Sequence, residues 1–455
     1  MTFTSWQFGA FAAVVFGIYY LPAFKAFQVQ VLVLASLFFY GYGQLELLPL
    51  LALAVFGTYL FLILALHNRA IWLPFGVVFN LALLAFFKYK FMFLDPSAAP
   101  LSSIPALDFL LRLPLPIGIS FFVFHNISLL ADLTKRADND LPNLTSVFLY
   151  IIFFPQMVSG PITRAENFMP QIQPKYMRAI PIIEASKWII TGYFFKLYVA
   201  NNLNEMTSYM AFPLYETVRT ADKWLLVILY SYQIYADFFG YSSIAIGLGL
   251  LFGYRLPINF NLPYISQSFA EFWTRWHISL SSWLRNYLYI PLGGNRHGAL
   301  RTYLNLMVVM GFGGLWHGAG LSYLTWGIMH GLLLVAERPH LRHLATVKSL
   351  PFRSLRSIVV FLCVSLLWVF FKLPDFGHAT SYISGMFTDQ TNPHRVQIPY
   401  SLALLYIAPV LIQHLAPKVL MHRVFATAEP YLYGLMAALA YLEAGPDTAF
   451  IYFQF

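Results

Sequence analysis

The octapeptide GGLWHGAG, residues 313–320, places a histidine inside one of the most apolar stretches of the chain. A fixed charge at bilayer depth costs several kcal/mol, about 3 on insertion scales, so an ionisable residue there needs a reason. Imidazole is the least expensive choice, because a low-dielectric setting favours its neutral form, which is also the form that can take a proton from a hydroxyl. Around His317 the glycines Gly311, Gly313, Gly314, Gly318 and Gly320 remove side-chain bulk, and Trp316 supplies a flat apolar wall. Either two helices approach closely there or a slender ligand passes. His317 therefore reads in two ways: as a general base, or as a polar contact between packed helices.

A second constellation is FAEFWTRWHISLSSWLRNYLYIPLGGNR, residues 269–296. It interleaves Trp273, Trp276 and Trp283 with Arg275, His277, Arg285 and Arg296. The aromatic spacing fits one face of a helix lying at a membrane interface, and clustered arginines offer bidentate contacts to phosphate. A phosphate-bearing amphiphile such as coenzyme A would suit that surface, and so would anionic lipid. Gly293 and Gly294 mark a turn, and no Gly-Lys-Ser/Thr follows to make a phosphate loop. The third constellation is Asp237 in YSYQIYADFFGYSSIAIGLG, an acid that could orient a histidine, relay protons or simply accept hydrogen bonds between helices. Asp132, His125 and His330 are single polar residues that read as packing contacts. Twelve histidines are present without an HxxxH or HxxHH box, and a single cysteine, Cys363, excludes an internal disulfide, so no metal site is expected. GxSxG is absent too.

The elements that must position these residues follow from composition. Of 455 residues 59% are hydrophobic and 10% charged, with a mean hydropathy of +0.64, far from a soluble domain. Hydrophobic runs of about 18 to 25 residues recur, each enough to cross the hydrocarbon as a helix. The expected fold class is an all-α polytopic membrane bundle of about 11 to 13 hydrophobic segments, some re-entrant, with a central pore. Spans are expected at 5–24, 27–44, 47–66, 70–87, 114–132, 142–160, 188–211, 224–251, 302–320, 321–337, 357–374, 400–416 and 431–450. The net charge of +9 points to cytoplasmic loops and membrane lipid ahead of nucleic acid, which is not an expected partner. A full crossing at 142–160 would export Arg164, Lys175, Arg178 and Lys187. Pro155, Gly160 and Pro161 break that run, which is expected to dip in and return. Both termini then fall outside the cytoplasm, while Lys88 and Lys90 oppose the rule unless they snorkel. Arginines flank residues 301–338 on both sides, which makes that segment a hairpin entered from the cytoplasm.

Taken together, the residues resemble the membrane-bound O-acyltransferase family (MBOAT), in its bacterial branch of alginate O-acetyltransferase membrane subunits. LPIGISFFVF, FFPQMVSGPITRAENFMPQI, YADFFGYSSIAIGLGLLFGYRLPINFNLPY, RWHISLSSWLRNYLYIPLGGNR, GGLWHGAGLSYLTWGIMHG and the terminal FIYFQF carry the likeness in order. The resemblance implies one domain over 1–455: N-terminal helices 1–112, a catalytic core 113–338 and C-terminal helices 339–455. It implies that His317 is catalytic and that His277 is a second functional histidine. Trp316, Gly318, Arg275, Trp276, Ser279, Arg285, Asn286 and Asp237 would line the donor path. The sequence departs from the pattern at Ser243, where an acid is usual, and at His125 and Asn126, where a glutamine and a small residue are expected.

The implied function is acetyl transfer, with acetyl-CoA as a donor substrate and no permanently bound cofactor, across a bacterial inner membrane for O-acetylation of an extracytoplasmic polysaccharide such as alginate. A partner acetyltransferase or carrier outside the cytoplasm would receive the group, and Tyr452 is a candidate acyl relay whose alternative role is an aromatic membrane anchor. Other readings are a transporter or flippase with a polar intramembrane path, D-alanyl transfer to teichoic acid, and a passive scaffold.

Overall fold

The computed structural model describes residues 1–94, 102, 104–135, 141–158, 160–341, 346, 349–388, 398–416, 418–446, 448 and 450–451, with the side chains of 106 and 418–427 undescribed. All regular structure among them is helical. In an apolar solvent a helix satisfies its backbone polar groups internally, so long apolar runs have no other economical form. Compact packing divides the chain into two units, Met1–Ser186 with Ala245–Pro257, and Lys187–Ile244 with Ile258–Phe455.

In the first unit lie helices α1 (Trp6–Tyr20), α2 (Gln28–Gly41), α3 (Leu48–His67), α4 (Arg69–Tyr89), α5 (Pro105–Arg112), α6 (Ile119–Leu133) and α7 (Leu144–Ile152). Ser5 caps α1 by accepting from Phe8 N at 3.3 Å, and Asn143 caps α7 by accepting from Ser146 N at 2.8 Å. Phe8, Phe11, Phe39 and Phe154 form an aromatic knot between α1, α2 and the turn after α7. One buried polar string runs through α3, α4 and α6: Asn126 Nδ2 donates to Asn80 Oδ1 at 2.7 Å, and Asn80 Nδ2 donates to Thr58 Oγ1 at 3.0 Å.

The run 142–160 behaves as its prolines predict. Helix α7 ends at Ile152 after nine residues, and a four-residue turn, Phe154–Met157, follows a break at Phe153. At about 1.5 Å per residue, α7 is too short to cross 30 Å of hydrocarbon. Lys90 does not snorkel. It is 5% exposed and its ammonium donates to the Leu113 carbonyl, so a backbone acceptor inside the protein takes the place of water.

The second unit begins at Lys187 within α8 (Ile182–Tyr193), and the chain passes through a π-helical turn, Phe194–Ala200, into α9 (Asn201–Thr207). Helix α10 (Thr220–Leu251) follows, its residues up to Ile244 belonging to this unit. Then come α11 (Phe269–Arg275), α12 (Ile278–Leu284), a π-helical turn at Arg285–Tyr289, α13 (Gly298–His317), α14 (Leu321–Glu337), α15 (Leu350–Lys372), α16 (Phe376–Ser384), α17 (Tyr400–Leu415) and α18 (Lys418–Leu442).

Among the described residues, five helical stretches are long and apolar enough to cross a membrane: Pro22–Gly41, Leu45–His67, Arg69–Met92, Thr220–Leu251 and Leu350–Lys372. In Arg69–Met92 only 22% of the apolar window is buried, against 89% in Thr220–Leu251, so most of the first is exposed apolar surface and most of the second is core. One expected span is corrected. The 431–450 run is helical only to Leu442, and from Glu443 the chain leaves the helix to pack as an irregular strap. Gly445 and Pro446 are poor helix formers, and Gly445 N donates instead to Leu197 O at 3.1 Å.

Candidate active site

Helices α13 and α14 form the hairpin expected from the flanking arginines. Their backbones touch: a Cβ on Gly314 would lie 2.2 Å from the Tyr323 carbonyl oxygen, and one on Gly327 would lie 2.3 Å from that of Met310. A Cβ on Gly318 would meet the Tyr323 ring at 2.2 Å. These glycines therefore let the two helices close on each other. The space expected there for a ligand is filled by Tyr323 at Gly314 and Gly318, whereas Gly311 and Gly313 have only ordinary contacts.

His317 is the last residue of α13, and the chain becomes extended at Gly318 before α14 begins. Its position at a helix end frees the ring from the regular helix surface and turns it into an aromatic box. The imidazole lies 4.8 Å from the ring of Trp316, 5.2 Å from Trp326 and 4.9 Å from Phe371, each edge-on. Trp326 comes from α14 and Phe371 from α15. The residue is 4% exposed.

His277 reaches the same place by a different route. The segment 269–296 is not one interfacial helix. It breaks at His277, whose φ of 42° is left-handed, and the break separates α11 from α12. Such a conformation in a non-glycine residue costs about 1–3 kcal/mol and persists where neighbours over-determine it. Here Asn259 does so: its carbonyl accepts from Ile278 N at 2.9 Å, its side-chain oxygen accepts from Ser279 Oγ at 2.6 Å, and its amide donates to Ser242 Oγ at 3.0 Å. The imidazole of His277 is fully buried, edge-on to Phe238 of α10 at 4.6 Å and 6.1 Å from Trp316. The two histidines are thus one indole apart.

The start of α11 is held just as firmly. Ser268 Oγ accepts from Glu271 N at 2.9 Å, and the Glu337 carboxylate, at the end of α14, accepts from Phe269 N and Ala270 N at 3.0 Å each. An acid at a helix N-terminus satisfies orphan donors and the helix dipole together. The hairpin carrying His317 therefore also caps the helix that leads into His277.

Trp276 and Trp283 are buried and Trp273 half-buried, so the segment does not present the single exposed aromatic face expected of one interfacial helix. Trp276 is 2% exposed, lies nearly parallel to Phe272 at 5.6 Å and meets Trp368 at 5.0 Å. Trp368 stacks on Trp326 at 5.5 Å and meets Phe371 at 5.3 Å. Broken at His277, the segment inserts its indoles into the core, where they lose more apolar area to water and lipid headgroups than at an interface.

The remaining expected site residues divide. Arg275 is committed to Glu271, at 2.9 Å, and to the Asn261 carbonyl, at 3.0 Å. Arg285 is exposed and Asn286 half-buried on the π-helical turn. Asp237 faces a cavity of about 150 Å³, lined also by Gln233, Lys372, Thr448 and Phe371, the ring that touches His317. Lys196 lies 2.6 Å from Asp237 Oδ1. Tyr452 lies outside the described residues. In the first unit His125 accepts from Thr163 N at 3.2 Å, while Asp132 is 3.5 Å from Arg164, so both hold loops in place. Ser243, standing where an acid was expected, donates to Phe239 O at 2.7 Å within its own helix.

Sequence reasoning missed Trp326, Phe371, Phe238, Asn259 and Lys196. Phe371 and Phe238 sit in apolar runs and carry no signal. Lys196 did carry one, a lone cation in the run FFKLYVA, 194–200. Among the described residues no three of His, Cys, Asp and Glu converge as metal ligands would. What the geometry offers is two buried imidazoles packed among aromatic rings, with Phe371, which touches His317, also lining the neighbouring cavity.

The membrane-bound O-acyltransferase family model matches residues 31–373, a stretch that contains both histidines. The chain is 37% identical over 379 residues to a probable alginate O-acetylase of Azotobacter vinelandii, covering 82% of this chain and 75% of that protein. It is 37% identical over 387 residues to a probable alginate O-acetylase of Pseudomonas aeruginosa, covering 83% and 73%. A peptidoglycan O-acetyltransferase of Helicobacter pylori is 35% identical over 392 residues, covering 78% and 73%. A match of this extent, on helices apolar enough to cross a bilayer, places the chain in the membrane-bound O-acyltransferase family, as an integral membrane O-acyltransferase.

Proposed function

We propose that this protein takes an acetyl group from acetyl-CoA on the cytoplasmic side of a bacterial inner membrane and delivers it outward for O-acetylation of a polysaccharide, with His317 as general base. The observation that carries the reading is the placement of His317 at a helix end, in an aromatic box, one indole from His277. The relatives named as O-acetylating enzymes support acetyl as the transferred group.

In the chemical step His317 takes the proton of an acceptor hydroxyl as its oxygen attacks the thioester carbonyl. The carbon–sulfur bond then breaks and the leaving thiolate takes the proton from the imidazolium, so no proton is gained or lost. A thioester is already activated, and a positioned base contributes roughly 10²- to 10⁴-fold. His277 and the Trp316 indole hold the donor end, with Trp276, Ser279, Arg285 and Asn286 on the approach. Acceptance passes to an extracytoplasmic partner, acetyltransferase or carrier, that presents the glycan.

Purified protein incubated with radiolabelled acetyl-CoA tests the reading. Release or transfer of label should fall by about 10²- to 10⁴-fold in His317→Ala, with the variant inserted and accumulating as wild type. Unchanged turnover in that variant makes His317 a packing residue. Gradient-driven movement of an intact solute, without acetyl release, would replace the enzyme reading with a transporter.

A further inference from the structure

The ion pair between Lys196 and Asp237 is buried on both sides, 1% and 6% exposed, and is 2.6 Å long. Taking two charges out of water is expensive, and a packed apolar pair of the same volume is often as stable or more so. The pair thus calls for a role other than stability, and its remaining hydrogen-bonding capacity shows where to look. Asp237 Oδ2 accepts from Ile451 N at 2.8 Å, and Lys196 Nζ donates to Thr448 O at 3.0 Å. Both partners are thus used to hold one stretch of chain more than 200 residues away.

That stretch is the irregular strap after α18. It is laid along α8–α9 by further bonds: Gly445 N donates to Leu197 O at 3.1 Å, Asn202 Nδ2 donates to Glu443 O at 2.8 Å, and Thr448 Oγ1 donates to Asn201 Oδ1 at 2.8 Å. The local structure is built for this. Lys196 lies in the π-helical turn, where the wider helix gives its backbone a different register, and π-turns recur at functional sites. Gly192 and Gly240 let that helix lie backbone to backbone on α10, since a Cβ on Gly240 would lie 2.8 Å from Lys196 N. Asp237 is one turn earlier on the same helix.

The strap ends against the site. Phe450, 1% exposed, stacks on Tyr241 at 4.2 Å and lies 5.9 Å from Phe238, whose ring edge meets His277. Thr448, Ile451 and Asp237 line the cavity whose wall includes Phe371, the ring against His317. We propose that Lys196 and Asp237 are positioning residues for the transfer reaction: they dock the strap after α18 through its residues 443–446, 448 and 450–451, which in turn sets Phe450, Phe238 and the cavity wall behind the two histidines. The strap lies beyond the part of the chain matched by the family model, which ends at 373. The proposal rests on the reading of His317 and His277 as the reacting site.

The test is the double variant Lys196→Met, Asp237→Leu, which removes both charges and keeps apolar volume. Hydrogen exchange over 443–451 reads docking without reference to activity, and steady-state kinetics with acetyl-CoA read positioning. The expected result is faster exchange throughout the strap, and a kcat lower by on the order of 10- to 100-fold with KM for acetyl-CoA unchanged. A strap that stays protected, or a wild-type kcat with the strap released, overturns the proposal. Should the double variant fail to accumulate, Phe450→Ala decides, because it leaves the ion pair intact and removes only the ring contact. A lowered kcat at unchanged KM supports positioning, and a wild-type kcat ends it. His317→Ala, run alongside, separates the two claims: full activity there overturns the site itself, whatever the strap does.

Discussion

His317, His277 and His330 are all buried in the second unit, yet their surroundings give them different work. His317 and His277 share the Trp316 indole, and His317 also touches Phe371, a ring that lines the cavity. His330 is enclosed by Phe272, Trp273 and Trp326, and neither of its ring nitrogens has a hydrogen-bond partner among the described residues. An unsatisfied buried polar ring is a liability, about 1–3 kcal/mol, unless function requires it. His330→Phe should therefore leave acetyl transfer intact and hold or raise the melting temperature in detergent; a loss of turnover at unchanged stability would add His330 to the site. The motifs around His317 and His277 singled out those two in the sequence, whereas His330 carried no motif and its ring neighbours show it as a packed residue.

At the scale of elements, precision at the site depends on the α13–α14 hairpin. Gly314 and Gly327 face backbone atoms, which cannot move aside as a flexible side chain would. Gly314→Val or Gly327→Val should push the helices apart, shift His317 and lower stability by about 1–3 kcal/mol or more. Thermal unfolding in detergent together with turnover measures both consequences. Gly311→Ala meets only Leu324 at 3.9 Å, so it should be tolerated, and its helix should gain slightly in propensity. If all three substitutions proved equally harmless, the hairpin would not be what sets the site. The glycine cluster was visible in the sequence. Its meaning was not, because a Cβ clash depends on which strand of the hairpin carries the facing carbonyl.

For the whole molecule, orientation in the membrane is the open physical quantity, and the chain is well suited to measuring it. Its one cysteine, Cys363, is half-buried in α15. In a Cys363→Ser background, a cysteine placed near either end of the chain should react with a membrane-impermeant maleimide from outside intact spheroplasts, as positive-inside counting expects. A cysteine in place of Arg296, in the basic segment before α13, should react only after the cells are opened. Reaction of the end positions from the cytoplasm alone would invert the topology and with it the direction of transfer. Two further whole-molecule features were only half legible. The break in the run before Gly160 followed from its prolines. The strap beyond Leu442 did not, since the run reads as the end of a span, whereas the chain there bonds to Lys196, Leu197, Asn201, Asn202 and Asp237.

The sequence by itself determined the solvent, the secondary structure and the family. Apolar runs of membrane length leave the helix as the form that satisfies the backbone, and the ordered motifs around His277 and His317 are specific enough to assign membrane-bound O-acyltransfer. Tertiary structure alone decided which residues meet. The break at left-handed His277 turned a supposed interfacial helix inward, Trp316 joined two histidines forty positions apart, and a lone lysine and a lone aspartate became one ion pair holding a distant strap. The physical reason is that helix formation and lipid partition are read from neighbouring residues, whereas close approach, edge-on ring contact and charge pairing depend on how helices cross, which local pattern does not encode.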